Sequence, residues 1–504
     1  METPAEDAAH SARAVTEVQA VTDAAHEAHA VSDTVREAQA ATDVAHEAHA
    51  DSDAVRKAQL VPDAVHMARA VELAACGRGA TSPNPVVGCV VLDADGNVAG
   101  EGFHAYAGGP HAEVVALRAA GERARGGTAY VTLEPCDHTG RTGPCSLTLL
   151  DAGIARVVVA VADPTPKAAG GGARLRAHGV VVEFGVLAEE AERVNAEWLT
   201  YARLGRPYVT WKFAATLDGR SAAPDGTSQW ITSPEARADV HRLRAESDAI
   251  IAGIGTVLTD NARLTARPPT PADPSPTVTP ADSSGPADLS HVGGPADPIG
   301  PADPIGPADP IGPAGASSPV GPSHPASQGG GTRAAARVPL RVVVDSEGRT
   351  PPGARVLDGE APALIAIADD IETGLAQTGL AQTDLAQTSS GEAGHRAELI
   401  RLPRHDGGLD LHALLRELAA RQVVSVFLEG GPTLAGSFLR QGLIDRVIAY
   451  LAPALLGAGP AALGDAGVAT IAGTHRLVFD DISPIGPDLR LTARPVLAPP
   501  RKES

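Results

Sequence analysis

At 504 residues the chain is long enough for about two to four domains with cores of their own, yet 54 glycines and 42 prolines against 3% aromatic residues leave part of it unpacked. A formal net charge of −20 excludes a general binder of nucleic acid or anionic membrane, while a local basic pocket for a phosphorylated small molecule stays open. Four cysteines make no disulfide framework, no apolar run reaches the roughly 18 residues that span a bilayer, and the opening METPAEDAAH resembles neither a secretory signal nor a transit peptide, so a cytoplasmic protein is expected.

Residues 1–60 repeat with a period of ten, with Asp23, Asp33, Asp43, Asp53 and Asp63 recurring. A ten-residue repeat drifts about 80° per copy around a helix, so it builds no single apolar stripe. His26, His29, His46 and His49 in this stretch are read as solvated side chains on a transiently helical extension. From Ala64 to Cys76 the pattern becomes helical, with Val65, Ala68, Val71 and Ala75 on one face and Gly77 and Gly79 as the stop. Folded structure is expected to begin there.

Short β-branched runs then alternate with helical stretches. VVGCVVL, TAYVTL and ARVVVAV stand in the first half, and PYVTWKFAA, DAIIAGI, LRVVVDS, PALIAIA and SVFLEGG in the second. With helices at 111–120 and 234–246 between them, the pattern predicts α/β architecture with largely parallel sheets. RLGRP at 203–207 is the expected linker. Residues 268–337, with GPADPI three times in succession, hold too much proline for helix or sheet and read as an extended insertion. The repeat GLAQTGLAQTDLAQT marks a second, smaller loop at about 371–395. Loop-closure entropy grows slowly with length, so both are tolerable within one domain.

Cys136 and Cys145 bracket the stretch CDHTGRTGPC, and they could be a redox pair, buried thiols or ligands of one metal. Upstream, GGPHAEVVALRAAG puts His111 and Glu113 in the first turn of a buried helix. One imidazole and two thiolates leave a fourth position open on a zinc ion, and a nearby carboxylate that does not bind the metal can move protons. That is the division of labour of zinc deaminases, whose pattern is H-x-E followed by P-C-x-x-C. Here the second cysteine comes nine residues after the first instead of three. A purely structural site with His138 as fourth ligand is the competing reading. Cys76 and Cys89, in apolar runs, are expected to be buried.

HAE, EPCDHTGRTGPC and TSPNPVVGCVV together resemble the deaminase domain of the bifunctional riboflavin-biosynthesis family, RibD/RibG, in which the wide cysteine spacing is normal. The resemblance implies that His111, Cys136 and Cys145 bind zinc, that Glu113 moves protons, and that Asn84 and His104 line a pyrimidine pocket with His138 and Arg141 near the substrate. AAGGGA at 168–173 stands where that family more often has VAGKG.

In the second half, Ser233 and Pro234 form a helix start, with Ala236, Val240 and Leu243 on one face. Arg237, Arg242 and Arg244 concentrate charge suited to a phosphate, or are merely solvated and paired. No G-x-G-x-x-G stands at a strand-to-helix turn, which disfavours a Rossmann domain. SVFLEGGPTLAGSFLRQGLID reads strand, turn, helix, with free N–H groups at the helix start for a dinucleotide phosphate.

These segments resemble the reductase domain of the same family, which has a dihydrofolate-reductase-like fold and uses NADPH. Carried over, the match puts Ala214, Trp230, Thr256, Asp260, Ser346, Gly431, Pro432, Thr433, Leu434, Ala435, Gly436 and Ser437 at the cofactor. It puts Ser228, Arg244, Leu264, Arg267 and Glu429 at the substrate, with Lys212 on the strand entering the pocket as a binding or proton-transfer group, or as a salt-bridged lysine.

The resemblance thus implies a cytidine-deaminase-like α/β/α domain over 61–203 and a reductase domain over 207–495. It also implies zinc and NADPH as cofactors, a phosphorylated pyrimidine as substrate, no nucleic-acid or membrane partner, and a homo-oligomer. A base or nucleoside deaminase fused to a diverged reductase, and a catalytically dead scaffold, are the alternatives.

Overall fold

The computed structural model describes residues 52–139, 143–266, 338–372, 381–382 and 397–496. Arg141, Arg267, the repeats before Ser52 and the insertion at 268–337 therefore lie outside the described residues, as does most of the second loop.

The first helix, α1, runs Ser52–Ala75 with Pro62 inside it, so it begins before the point where the repeat pattern ends. Its buried face is Met67, Ala70, Leu73 and Ala74 rather than the expected Val65, Ala68, Val71 and Ala75. Small apolar residues are available on several sides of this helix, and a buried charge decides between them. Asp63, 1% exposed, accepts from Tyr130 Oη at 2.8 Å and takes both Arg156 guanidinium nitrogens at 2.8 and 2.7 Å. That pair turns the Met67 side of the helix to the core. Cys76 falls one residue beyond the helix, on the far side from Met67, and is exposed, contrary to expectation; Cys89 is buried as expected.

Five strands form the first sheet: β1 (Gly88–Leu92), β2 (Val98–Phe103), β3 (Thr128–Leu133), β4 (Arg156–Val161) and β5 (Val181–Phe184), in the order β2-β1-β3-β4-β5. β1 is antiparallel to both neighbours, while β3, β4 and β5 are parallel, so this sheet is mixed and not mostly parallel. Alternate residues face opposite layers. Cys89 and Val91 pack with α2 (Ala112–Ala120), α3 (Cys145–Asp151) and α4 (Gly171–Ala177). Val90 and Leu92 pack with α1, α5 (Ala188–Val194) and α6 (Ala196–Leu204). β2 has the sequence VAGEGF, with no run of β-branched residues to announce it. Its glycines serve α2: a Cβ on Gly100 would lie 2.2 Å from the Ala116 carbonyl oxygen, and one on Gly102 2.6 Å from that of Ala112.

Gly205, in the left-handed region, ends α6, and Arg206 ion-pairs with Asp445 at 2.7 Å across the short linker. Among the described residues the second sheet has ten strands. They are β6 (Tyr208–Thr216), β7 (Ala249–Gly253), β8 (Leu340–Val344), β9 (Ala363–Ala368), β10 (Ala381–Gln382), β11 (Ala397–Leu402), β14 (Ser425–Leu428), β15 (Arg446–Ala452), β16 (Leu477–Ile485) and β17 (Asp488–Pro495). β12 (Arg404–His405) and β13 (Gly408–Leu409) make a separate small ribbon. The order is β10-β11-β9-β8-β7-β14-β6-β15-β17-β16, parallel except at β17 and β16. The chain steps outward from β7 through β8 and β9 to β10 at the edge, comes back one place to β11, and then returns to insert β14 between β7 and β6.

α7 (Pro234–Glu246) and α8 (Ile254–Asp260) cover one face of this sheet; α9 (Leu411–Ala420) and α10 (Pro432–Arg440) cover the other. Ser233 caps α7 as expected, its side chain accepting from the Ala236 N–H at 3.2 Å, with Ala236 and Val240 buried. The β16–β17 ribbon is different: Val478, Phe479 and Ile482 are 53%, 55% and 53% exposed. Among the described residues, no helix is long and apolar enough to cross a membrane.

Candidate active sites

The first site is built where α2 and α3 begin. His111 is the residue just before α2, in extended conformation, and Cys145 is the first residue of α3. Cys136 lies in the turn after β3, held there by its neighbours. Glu134 accepts from the N–H groups of Asp163, Gly170 and Gly172 at 3.2, 3.3 and 3.0 Å, and Asp137 accepts from Ser146 at 2.6 Å and also from Arg174. A Cβ on Gly171 would sit 1.8 Å from the Pro135 carbonyl oxygen, so the glycine run at 170–172 is what lets this loop close on the cysteine turn. Glu134 and Asp137 carry no motif of their own; their place beside Cys136 is the only sequence signal for this role.

His111 Nδ1 lies 3.2 Å from Cys145 Sγ and 3.6 Å from Cys136 Sγ. These are the described residues whose ligand atoms all lie within 4.8 Å of one another, and His138 is not among them. Tetrahedral zinc, with Zn–N about 2.0 Å and Zn–S about 2.3 Å, would hold nitrogen and sulfur roughly 3.5 Å apart. The two observed separations bracket that value. The Cys145 thiol and N–H, together with His111, stabilise a Cys136 thiolate and bring its pKa down to about 4, while Cys145, beside that thiolate, is pushed up. Contact with Cys136 raises His111. Glu113, 3% exposed, is raised by burial against the same cluster. The donor set and its spacing fit zinc.

His104 and Asn84 lie beside this cluster. His104 Nδ1 faces the Pro110 carbonyl at 3.0 Å and must donate to it, since a carbonyl only accepts. Its Nε2 is then an acceptor for the Asn84 amide N–H at 3.2 Å. Burial lowers its pKa, which keeps this neutral tautomer, and its ring meets that of His111 edge-on at 5.5 Å. His138 is half-buried, with Nδ1 lacking a hydrogen-bond partner among the described residues.

The second site lies along the carboxyl ends of the parallel strands, where open α/β sheets bind ligands. Ala214 is near the end of β6, Thr256 follows β7, Ser346 follows β8, and Gly431 follows β14 as the N-cap of α10. A Cβ on Gly430 would meet Leu434 at 2.8 Å, whereas Gly431 faces open space, as a backbone cradle for a phosphate requires. Pro432 and Thr433 share this first turn; Leu434 packs beneath it, and Ser437 turns its hydroxyl back to the Thr433 carbonyl at 3.2 Å. Ala435 and Gly436 point elsewhere: Ala435 is fully buried, and a Cβ on Gly436 would meet the Asp465 carbonyl oxygen at 2.2 Å. Asp260 is exposed at the end of α8, and Leu264 is buried with φ of 52°, a backbone region that branched side chains seldom enter.

Arg244 and Glu429 form a bidentate ion pair at the heart of this site. Burial disfavours the Glu429 charge, but Arg244, with Lys212 behind it, holds the carboxyl below its usual range. Burial lowers the pKa of Lys212, assisted by Arg244. Lys212 makes no ion pair within 4.0 Å among the described residues; its ammonium lies 5.9 Å from the Tyr450 ring, which Asp239 fixes by accepting from the hydroxyl at 2.6 Å. The other two arginines separate from Arg244. Arg242 is paired with Asp239 and Glu246 at the surface, and Arg237 stacks 4.3 Å over the ring of Trp230, itself 68% exposed. Ser228 is half-buried in the same loop as Trp230.

Comparison with known proteins agrees with both halves. Residues 60–161 match the cytidine and deoxycytidylate deaminase zinc-binding region, and residues 207–491 match the RibD C-terminal domain. The riboflavin biosynthesis protein RibD of Escherichia coli is 39% identical over 425 residues, covering 84% of this chain and 96% of that one. RibD of Mycobacterium tuberculosis is 39% identical over 424 residues, covering 84% and 94%. The structure of Acinetobacter baumannii RibD superposes with a TM-score of 0.64 at 34% identity, over 87% of this chain and all of the other. A Thermotoga maritima protein described as a diaminohydroxyphosphoribosylaminopyrimidine deaminase and 5-amino-6-(5-phosphoribosylamino)uracil reductase gives 0.62 at 29% identity. A zinc-binding deaminase region followed in one chain by a RibD reductase domain makes this protein a member of the RibD family, a bifunctional deaminase and NADPH-dependent reductase of riboflavin biosynthesis.

Proposed function

We propose that the deaminase half, 61–203, hydrolyses the 2-amino group of 2,5-diamino-6-(5-phosphoribosylamino)pyrimidin-4-one, and that the reductase half, 207–495, then reduces the ribosyl of the product to ribityl. The observation that carries this reading is the His111, Cys136 and Cys145 cluster with Glu113 buried in the same first turn as His111.

In the first half His111, Cys136 and Cys145 hold zinc, which when bound activates water as a nucleophile at neutral pH. Glu113 takes a proton from the attacking water and passes it to the pyrimidine ring nitrogen, then takes the second from the hydroxyl now on the ring carbon and gives it to the amino group, which leaves as ammonia as the carbonyl forms. Its burial raises its pKa towards the range such a shuttle needs. Neutral His104 fixes the Asn84 amide, which binds the pyrimidine edge, and His138 stands near the substrate.

In the second half bound NADPH would supply the hydride that the reduction needs. Ala214, Thr256, Ser346 and the α10 start around Gly431 hold the cofactor, with Trp230 and Asp260 at the rim. Arg244, Glu429, Ser228 and Leu264 hold the substrate. Arg244 keeps Glu429 ionised, so Glu429 orients and does not donate protons. Lys212, buried and with a lowered pKa, protonates the ribose ring oxygen as the ring opens.

The purified protein should contain about one zinc per chain, release ammonia from the diaminopyrimidinone phosphate, and oxidise NADPH on the aminouracil product. Zinc without ammonia release would sink the deaminase assignment; ammonia without NADPH oxidation would sink the reductase one. The acidic charge and two small-molecule sites point to a cytoplasmic enzyme with no nucleic-acid partner. The exposed apolar residues of β16 and β17 support a homo-oligomer, to be read by light scattering.

A further inference from the structure

The two halves share a boundary at a loop that carries a deaminase residue. Residues 81–86, which include Asn84, lie against the start of β7 in the reductase sheet. Ser82 Oγ donates to Asp248 Oδ2 at 2.7 Å. The same oxygen accepts from the backbone N–H groups of Val424 and Ser425 at 2.8 and 3.1 Å, and the Asp248 N–H donates to Ser425 Oγ at 3.1 Å. Asp248 is 4% exposed, so its carboxylate is fixed by the reductase sheet before Ser82 reaches it. One turn upstream, Gly79, with φ of 74°, lies so close to the last residue of α7 that a Cβ would sit 3.0 Å from Glu246 Cα.

We propose that Asp248 of the reductase half is a positioning residue for the deaminase site, acting through Ser82 on the loop that carries Asn84. From Ser82 the path is short. The loop is tied at its far end by Val86, whose N–H donates to Asn195 Oδ1 at 3.1 Å. Between the two ties Asn84 reaches His104 at 3.2 Å, and His104 reaches the Pro110 carbonyl at 3.0 Å, immediately before His111. A carboxylate accepting a hydroxyl hydrogen bond is a strong, directional restraint. It sets where Asn84 stands when the pyrimidine enters, and it makes the deaminase pocket complete only when the reductase sheet is in place. The inference rests on the reading of Asn84 as a pyrimidine-binding residue.

The test uses the full chain and kinetics on both substrates. Ser82→Ala removes the tie and leaves the Asp248 backbone partners in place. Loss of a hydrogen bond to a charged group should raise the deaminase KM on the order of tenfold. Deaminase kcat, zinc content and the reductase rate on separately supplied aminouracil phosphate should stay within about twofold, and Ser82→Thr, which keeps the hydroxyl, should restore KM. A fall of both activities together would make the tie a general stability element and overturn the proposal. An unchanged KM in Ser82→Ala beside a raised KM in Asn84→Ala would also overturn it, while leaving the Asn84 reading intact. A raised KM in Ser82→Ala with none in Asn84→Ala would overturn both the proposal and the Asn84 reading, because the path from Ser82 to His104 runs through Asn84.

Discussion

The deaminase and reductase sites are assembled in opposite ways. The first draws its ligand cluster and proton carrier from two stretches, 111–113 and 136–145, each placed by a helix start. The second, as proposed, takes single residues such as Ala214, Thr256 and Ser346 from separate strand ends and adds one run at the start of α10. A metal forces its ligands within a few ångströms, and helix starts deliver them from short, fixed spacings. A dinucleotide lies along a sheet edge and asks little of any one position. Concentrated chemistry therefore leaves a compact motif, whereas distributed binding leaves only an order of segments.

This contrast predicts unequal sensitivity to single changes. The largest effect is expected from Cys145→Ala, which removes a ligand: zinc content and ammonia release should both be lost, while NADPH oxidation on the aminouracil phosphate continues. Loss of both activities would show that the two sites are not separately built. Next is Glu113→Gln, which keeps the cluster but removes the proton carrier; kcat should fall by about 10² to 10⁴ with zinc retained, as read by metal analysis and steady-state rates. A smaller, local effect is expected at the distributed site. Glu429→Gln leaves Arg244 buried without its counter-charge, which costs on the order of 3–5 kcal/mol when the geometry cannot relax. The reductase should weaken for its substrate and the thermal midpoint should fall, with deamination at permissive temperature unchanged. A midpoint equal to wild type would mean that water reaches Arg244 and that the pair is not closed.

The same contrast explains what was legible in the sequence. His111, Glu113, Cys136 and Cys145 were readable because H-x-E and P-C stand at turn signals before apolar runs. The strands β1, β3, β4, β6 to β9 and β14 were readable as short β-branched runs. β2 was not, since Gly100 and Gly102 replace the branched residues so that α2 can approach. β16 and β17 were not, because most of the apolar residues of β16, with Leu489 of β17, face outward and no core imposes a simple alternation. The buried face of α1 was misread because Ala and Val occupy several sides of the helix, and what selects one side is Arg156, 93 residues away from Asp63. Likewise Arg242 and Arg244 are indistinguishable in sequence, and only the fold turns one to Glu429 and the other to the surface.

The Asp63–Arg156 pair also sets a reading frame for the repeats. Asp23, Asp33, Asp43 and Asp53 repeat the acid, but four residues on they are followed by Glu27, Glu37, Glu47 and Lys57, where Asp63 is followed by Met67. Met67 is fully buried, and a charge in its place would be an uncompensated burial. Only the last copy offers both the acid for Arg156 and an apolar residue for the core. Adding or removing upstream copies should therefore leave the domain that follows in register, because the frame is locked at a single unit, the one that is not a faithful copy.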